Sequence, residues 1–179
     1  MTYKKTTAIL VVASVIIVIV FSVSGYYIVR AFTGTSIDEN KPYPVTHILD
    51  GDTFKAKIGS HIVTVRMLGI DTPETVDPRK PVQCFGKEAS DETKSLLTGK
   101  NVRLKLNPSR EEKDKYGRYL AYVYLQAEPE VFINEYLLEN GYAREYTYSK
   151  SVPHMFQKEF KSIENTAKEG KKGLWGKCE

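Results

Sequence analysis

Asp50–Glu74, DGDTFKAKIGSHIVTVRMLGIDTPE, is the stretch whose pattern decides the fold. Phe54, Ala56 and Ile58, then Val63, Val65 and Met67, alternate with polar residues at the period of two of a half-buried strand pair. Gly59-Ser60 sits between them as a two-residue hairpin turn. That turn pairs Ile58 with His61, and the register carries Thr53 opposite Arg66 and Asp52 opposite Met67. Arg66 is thereby aimed close to Asp52. Asp71 falls about four residues beyond Asp52's partner, roughly 13 Å along a straight strand. A straight hairpin cannot bring the two carboxylates together. Gly51 and Gly69 lie where a bulge or bend does so, and the expected result is a strongly curved sheet that closes into a small barrel.

Two aspartates gathered at a bend have the chemistry to hold a hard cation through oxygen. Glu74, beyond the stiff Pro73, is a carboxylate beside that cation, suited to act as a general base or to orient water. Each of DGD and DTPE alone also reads as a turn, and Arg66 alone also reads as a structural partner of Asp52. The combination with a later segment, DKYGR (Asp114–Arg118), favours chemistry.

Composition narrows the setting. The chain has 179 residues, 41% hydrophobic and 27% charged, enough for one ordinary domain with an appendage. Its net charge of +4 misleads, because Lys4, Lys5 and Arg30 are three of the 26 basic residues and no acidic residue precedes Asp38. From Asp38 onward, 23 basic residues face 22 acidic ones. A global positive field is excluded, so contact with a polyanion needs locally placed cations.

Ala8 to Val29 contains no charged residue and makes about 33 Å of helix, enough for a hydrocarbon core of about 30 Å. Residues 1–32 are expected to be an N-terminal transmembrane signal-anchor, with Ser22, Ser24 and Gly25 keeping cleavage as the alternative. The domain is placed outside the cytoplasm, tethered as a single-pass membrane protein, or secreted if the segment is cut. Residues 33–44 have linker composition. The folded domain is assigned to 45–176, with Val45, Ile48 and Leu49 in a first strand, and residues 177–179 form a tail. After Glu74, a loop without periodicity runs to Lys87, where a helix begins that Gly99 stops. Asn101–Leu106 and Tyr119–Leu125 read as strands, Val131 to Asn140 as a helix with Val131, Tyr136, Leu137 and Leu138 on its buried side, and His154 to Gly170 as a last helix striped by Met155, Phe156, Phe160 and Ile163. His47, His61 and His154 show no metal spacing and receive no chemical role.

DGDT, VRMLGIDTPE, DKYGR, YLAYVY and the pair Tyr146 and Tyr148, in that order, resemble a staphylococcal-nuclease (thermonuclease) domain over about Val45 to Trp175. The resemblance implies an α+β fold, an OB-fold barrel of five strands with three helices. It implies a calcium-dependent nuclease that cleaves DNA and RNA with little sequence preference to leave 3′-phosphate ends. Carried over by position, Asp52 and Asp71 are calcium ligands and Thr72 adds its carbonyl. Arg66 and Arg118 grip the scissile phosphate, and Glu74 is the base or water-orienter. Lys115 and Tyr116 contact a phosphate, while Tyr146 and Tyr148 pack on base and sugar. The interval from Ala143 to Tyr146 is one residue shorter than in the family pattern.

Two guanidinium groups and a divalent cation suit the charge that gathers on a phosphodiester under attack. Exposed aromatic faces suit single-stranded or frayed nucleic acid. A monomer is expected. The alternative is a binding module of the same fold that has lost catalysis. Cys84 and Cys178, an even pair with one member at the chain end, are expected to be joined if the compartment is oxidising, the alternative being two free thiols.

Overall fold

The computed structural model describes residues 36–75, 81–108 and 111–178. The chain divides into two units, Met1–Ser36 and Ile37–Glu179, and the account below concerns the second. The stretch read as a membrane span lies outside the described residues, among which no helix is long and apolar enough to cross a membrane.

In chain order the elements are β1 (Pro42–Asp50), β2 (Thr53–Ile58), β3 (His61–Met67), β4 (Ile70–Asp71), α1 (Gly86–Leu97), β5 (Asn101–Leu106) and β6 (Tyr119–Leu125). These are followed by β7 (Val131–Phe132), α2 (Ile133–Glu139), β8 (Arg144–Glu145), α3 (Gln157–Glu169) and the short α4 (Leu174–Lys177). The hairpin has the expected register, Ile58 opposite His61 and Thr53 opposite Arg66. Met67 N–H donates to the Asp52 carbonyl at 2.9 Å, one step further along. β1 pairs with β2 and, through Pro42–Pro44, with β5, while β5 pairs with β6. β6 then returns to β3 in parallel, Val65 opposite Tyr119 and Met67 opposite Ala121, which closes a five-stranded barrel. Alternate residues fill it: Phe54, Ala56, Val65, Val102, Leu104 and Ala121 are fully buried. The irregularities in β1, between Val45 and His47 and between Ile48 and Asp50, supply local curvature.

Three boundaries differ from the sequence reading. β1 begins at Pro42, and Tyr43 is buried, so residues 42–44 belong to the barrel and not to a linker. Their prolines read as linker, yet a strand's first residues tolerate proline where no ladder donor is needed. Val131 is not helical; it faces Leu125 across β7, and α2 starts at Ile133 with Ile133, Asn134, Leu137 and Leu138 buried. Two β-branched or aromatic residues beside a strand end were worth more as ladder than as helix. α3 begins at Gln157, leaving Met155 exposed, and His154 is buried just before it. Of the loop after Glu74, residues 76–80 lie outside the described part, and 81–84 are exposed.

The three longer helices pack around the barrel, and α4 closes a smaller apolar cluster of Ala167, Leu174 and Trp175 with Phe85 and Cys178. Cys84 and Cys178 are joined by a disulfide, their Cα atoms 5.9 Å apart. Lys177 and Cys178, read from the sequence as tail, are thus part of the fold.

The bend that sequence spacing demanded occurs at Leu68-Gly69, between β3 and β4. Leu68 N–H donates to the Ala121 carbonyl at 2.9 Å, and the buried Asn134 donates its Nδ2 to the Leu68 carbonyl at 2.8 Å while accepting Val123 N–H at 2.9 Å. Gly69 has φ 77°, a conformation open to glycine, and a Cβ there would lie 2.6 Å from His154 Cε1 and 2.9 Å from Phe160 Cε2. The Gly69 carbonyl accepts Tyr146 N–H at 3.0 Å, which leads into the β4–β8 pairing. Gly69→Ala is therefore expected to cost at least about 2 kcal/mol of stability in urea denaturation, because left-handed strain and displacement of two buried rings add. An unshifted midpoint would contradict this account of the bend.

Candidate active site

Arg66 leaves β3 opposite Thr53 and reaches across the bend. Its Nη1 donates to the Met67 carbonyl at 3.2 Å and the Ile70 carbonyl at 3.1 Å, and lies 2.7 Å from Asp52 Oδ2. Its Nη2 lies 2.7 Å from Asp71 Oδ1. One planar guanidinium thus joins the two aspartates that a straight hairpin keeps apart. Asp52 is buried and further fixed, with Oδ2 accepting Thr72 N–H at 2.9 Å and Oδ1 accepting the Thr53 hydroxyl at 2.9 Å.

Negative charge exceeds what Arg66 offsets. Burial pushes the Asp71 carboxyl above the usual range; Arg66 opposes that, and the charges of Asp52 and Glu74 add to it. The Asp71 side chain is half-exposed to the cleft, so its loss of solvation comes from the wall behind it and not from enclosure. Asp50 is also pushed up, first by burial and further by Glu74 and Asp52, against the Thr75 hydroxyl, which donates to its Oδ1 at 2.6 Å, and the Gly51 N–H. Four carboxylates, those of residues 50, 52, 71 and 74, therefore share one neighbourhood. The donor set is wholly oxygen, as a hard cation requires. The Thr72 hydroxyl beside it is buried with no hydrogen-bond partner. Among the described residues no three His, Cys, Asp or Glu side chains form a preformed cation cage. Asp52 and Asp71, joined through Arg66, are the carboxylates among these that could offer oxygen to a cation.

The second arginine is set by the turn DKYGR. Asp114 Oδ1 accepts the N–H groups of Tyr116 at 2.9 Å and Arg118 at 3.0 Å, and its Oδ2 accepts Arg118 Nε at 2.7 Å. Burial works to raise the Asp114 carboxyl, yet these bonds and the guanidinium charge hold it below the usual range. Arg118 also lies 5.5 Å from the Tyr116 ring centre, and Lys115 Nζ lies 5.0 Å from it.

Arg66, Asp71, Lys115, Tyr116, Arg118, Tyr146 and Tyr148 line one cleft of about 780 Å³. Three of its aromatic side chains face water, Tyr116 at 72%, Tyr146 at 46% and Tyr148 at 77% exposure, whereas the other large rings among the described residues are mostly packed. Asp52, Thr72 and Glu74 do not line the cleft: Asp52 is joined to it by Arg66, and the Glu74 carboxylate, whose charge is felt by Asp71, accepts Thr75 N–H at 3.0 Å through Oε1. The tyrosines of YLAYVYL divide differently: Tyr119 and Tyr122 are core.

Several supporting residues carried no sequence signal. His154 lines the cleft yet is buried, its Nε2 3.1 Å from Glu145 Oε1 and its Nδ1 3.3 Å from the Tyr122 hydroxyl, and it backs Gly69. Asn134 and Gln83 act through long-range bonds that no local pattern announces. Asp114 had a usable signal, four residues before Arg118 in a glycine-containing turn. Asp50 had another, two residues before Asp52.

The family model described as a staphylococcal nuclease homologue matches residues 64–177. The chain is 38% identical over 175 residues to the thermonuclease of Staphylococcus hyicus, covering 96% of this chain and 98% of that one. It is 42% identical over 147 residues to the thermonuclease of Staphylococcus intermedius, covering 81% and 83%. A third relative is the SPbeta prophage-derived endonuclease YokF of Bacillus subtilis, 39% identical over 130 residues, 72% of this chain and 42% of that one. With its closed five-stranded barrel and its two-arginine cleft, this chain belongs to the staphylococcal nuclease family.

Proposed function

We propose that this nuclease hydrolyses phosphodiester bonds of DNA and RNA with calcium bound by Asp52, Asp71 and the Thr72 carbonyl. The observation that carries the proposal is the placing of Arg66, Asp71 and Arg118 on one cleft rimmed by three exposed tyrosines. A cation held there would supply Lewis-acid chemistry, positive charge where the transition state gathers negative charge. Arg66 and Arg118 supply two further sets of donors to the equatorial oxygens, prepaid in orientation by their carboxylate partners. Arg66 has a double role: it ties the bend and presents a face to the cleft. Glu74 takes a proton from water or orients it, a role supported by the charge it shares with Asp71 and Asp50. Water adds to phosphorus as the P–O5′ bond breaks, and the departing O5′ takes up a proton, so the products carry a 3′-phosphate and a 5′-hydroxyl.

Tyr146 and Tyr148 offer their faces to unstacked bases, and Tyr116 with Lys115 offers a contact for a flanking phosphate. Such a rim favours single-stranded or frayed substrate, since a paired base hides its face, and sequence preference is slight. The Cys84–Cys178 disulfide supports a location outside the cytoplasm, tethered to the membrane by residues 1–32 or released by their cleavage. The reading as a binding module loses ground, because every group the reaction needs is present.

Arg66→Ala and Arg118→Ala are each expected to lower turnover of denatured DNA by at least about 10²-fold, the scale for one preorganised charge-stabilising donor. Either variant keeping near wild-type turnover while folded by circular dichroism would remove that arginine from the phosphate clamp. Asp52→Ala should abolish calcium-dependent cleavage, whereas Glu74→Gln should keep calcium affinity and lose turnover. Calcium titration calorimetry with a nucleotide present separates the two roles, and equal loss of affinity in both variants would show that they are one.

A further inference from the structure

Glu74 is held by a segment that the reaction does not otherwise involve. Its N–H donates to Gln83 Oε1 at 3.0 Å, and its carbonyl accepts Gln83 N–H at 3.0 Å. One residue thus clasps both backbone groups of the carboxylate-bearing position. Gln83 N–H is not free to wander, because the Gln83 carbonyl in turn accepts Gly86 N–H at 3.0 Å at the start of α1. Gly86 approaches the same strand of chain so closely that a Cβ would lie 2.8 Å from Thr75 Cγ2 and 3.1 Å from the Pro73 carbonyl oxygen.

What fixes this clasp lies on its other side. Cys84, adjacent to Gln83, is bonded to Cys178, 94 residues later. Phe85, the next residue, has φ 66°, left-handed backbone that residues other than glycine seldom adopt. Its ring stacks on Tyr142 at 5.6 Å between centres and packs on the Trp175 cluster. Within that cluster Trp175 has the cations of Arg144 and Lys168 each 4.4 Å from its ring centre. Gln83 and Cys84 are exposed, so little apolar burial holds them. A covalent bond to the chain end replaces that burial.

We propose that Gln83, anchored by the Cys84–Cys178 disulfide, is a positioning residue for Glu74, so that the segment bearing Cys178 governs the placing of the reaction's carboxylate. The proposal rests on the role given to Glu74 above. Misplacing a reacting group by about 1 Å is enough to cost up to about 10²-fold in rate while leaving substrate binding alone.

The test is steady-state cleavage of a single-stranded oligodeoxynucleotide with calcium, at alkaline pH and at a temperature where circular dichroism shows every variant folded. Gln83→Leu removes the acceptor and is expected to lower kcat about 10-fold with KM within about twofold. Gln83→Glu keeps an acceptor oxygen and is expected to restore kcat to within about twofold of wild type, which a general loss of stability would not allow. The Cys84→Ser, Cys178→Ser double variant should resemble Gln83→Leu. In a Glu74→Gln background, neither change should lower kcat by more than about twofold, because a residue acting only through Glu74 has nothing left to place. Equal falls in both backgrounds, or wild-type kcat in Gln83→Leu or in the cysteine variant, would overturn the positioning role. Wild-type kcat in Glu74→Gln alone would instead overturn the assignment of Glu74, and the proposal with it.

Discussion

Arg66 spans a turn that would otherwise separate two halves of the site. Its guanidinium meets Asp52 on the β2 side and Asp71 on the β4 side, each at 2.7 Å, and two carbonyls of the bend complete its bonding. Asp52 and Arg66 are both poorly exposed, so each charge leans on the polar groups around it, and on the other foremost. Removing one partner of such a pair typically costs about 3 to 5 kcal/mol, most of it the penalty of the stranded charge. That penalty makes the bend a requirement of the fold as well as of the site. The same geometry presents a planar donor set to the cleft, so folding has already oriented the group that catalysis is proposed to use.

The barrel exists to hold that arrangement still. Arg66 sits where β3 is paired on both edges, with Thr53 of β2 antiparallel and Leu120 of β6 parallel. Arg118 immediately precedes β6, whose second residue lies opposite Arg66. The closing pairing therefore carries both arginines to one end of the barrel, although they are far apart in sequence. The rim, by contrast, is loop and exposed ring. A strand-built wall with exposed aromatic edges suits a substrate whose backbone is constant and whose bases vary.

Much of this was legible because it is local. Alternation and a two-residue turn fix the β2–β3 register, and register alone states that Asp52 and Asp71 need a bend; Gly69 is the residue that supplies it. The failures are all long-range. Pro42–Pro44 look like linker until β5 offers them a partner, and Val131 looks helical until Leu125 stands opposite it. His154 has no ligand spacing, yet it is buried because Glu145 and Tyr122 meet its two ring nitrogens and Gly69 leaves room for it. Gln83 reads as one polar residue in an unpatterned loop, and only the disulfide's far end explains its fixed place. Side chains that support a site from a distant element leave no periodic trace.

The carboxylates gathered by the Arg66 bend are proposed to hold a divalent cation that phosphodiester cleavage requires. The most direct test is the initial rate of acid-soluble nucleotide release from heat-denatured DNA, followed with calcium, then with excess chelator, then with calcium restored. The account predicts cleavage in calcium, a fall of at least about 10²-fold in chelator and full recovery on re-addition. Cleavage that continues undiminished in excess chelator would contradict it.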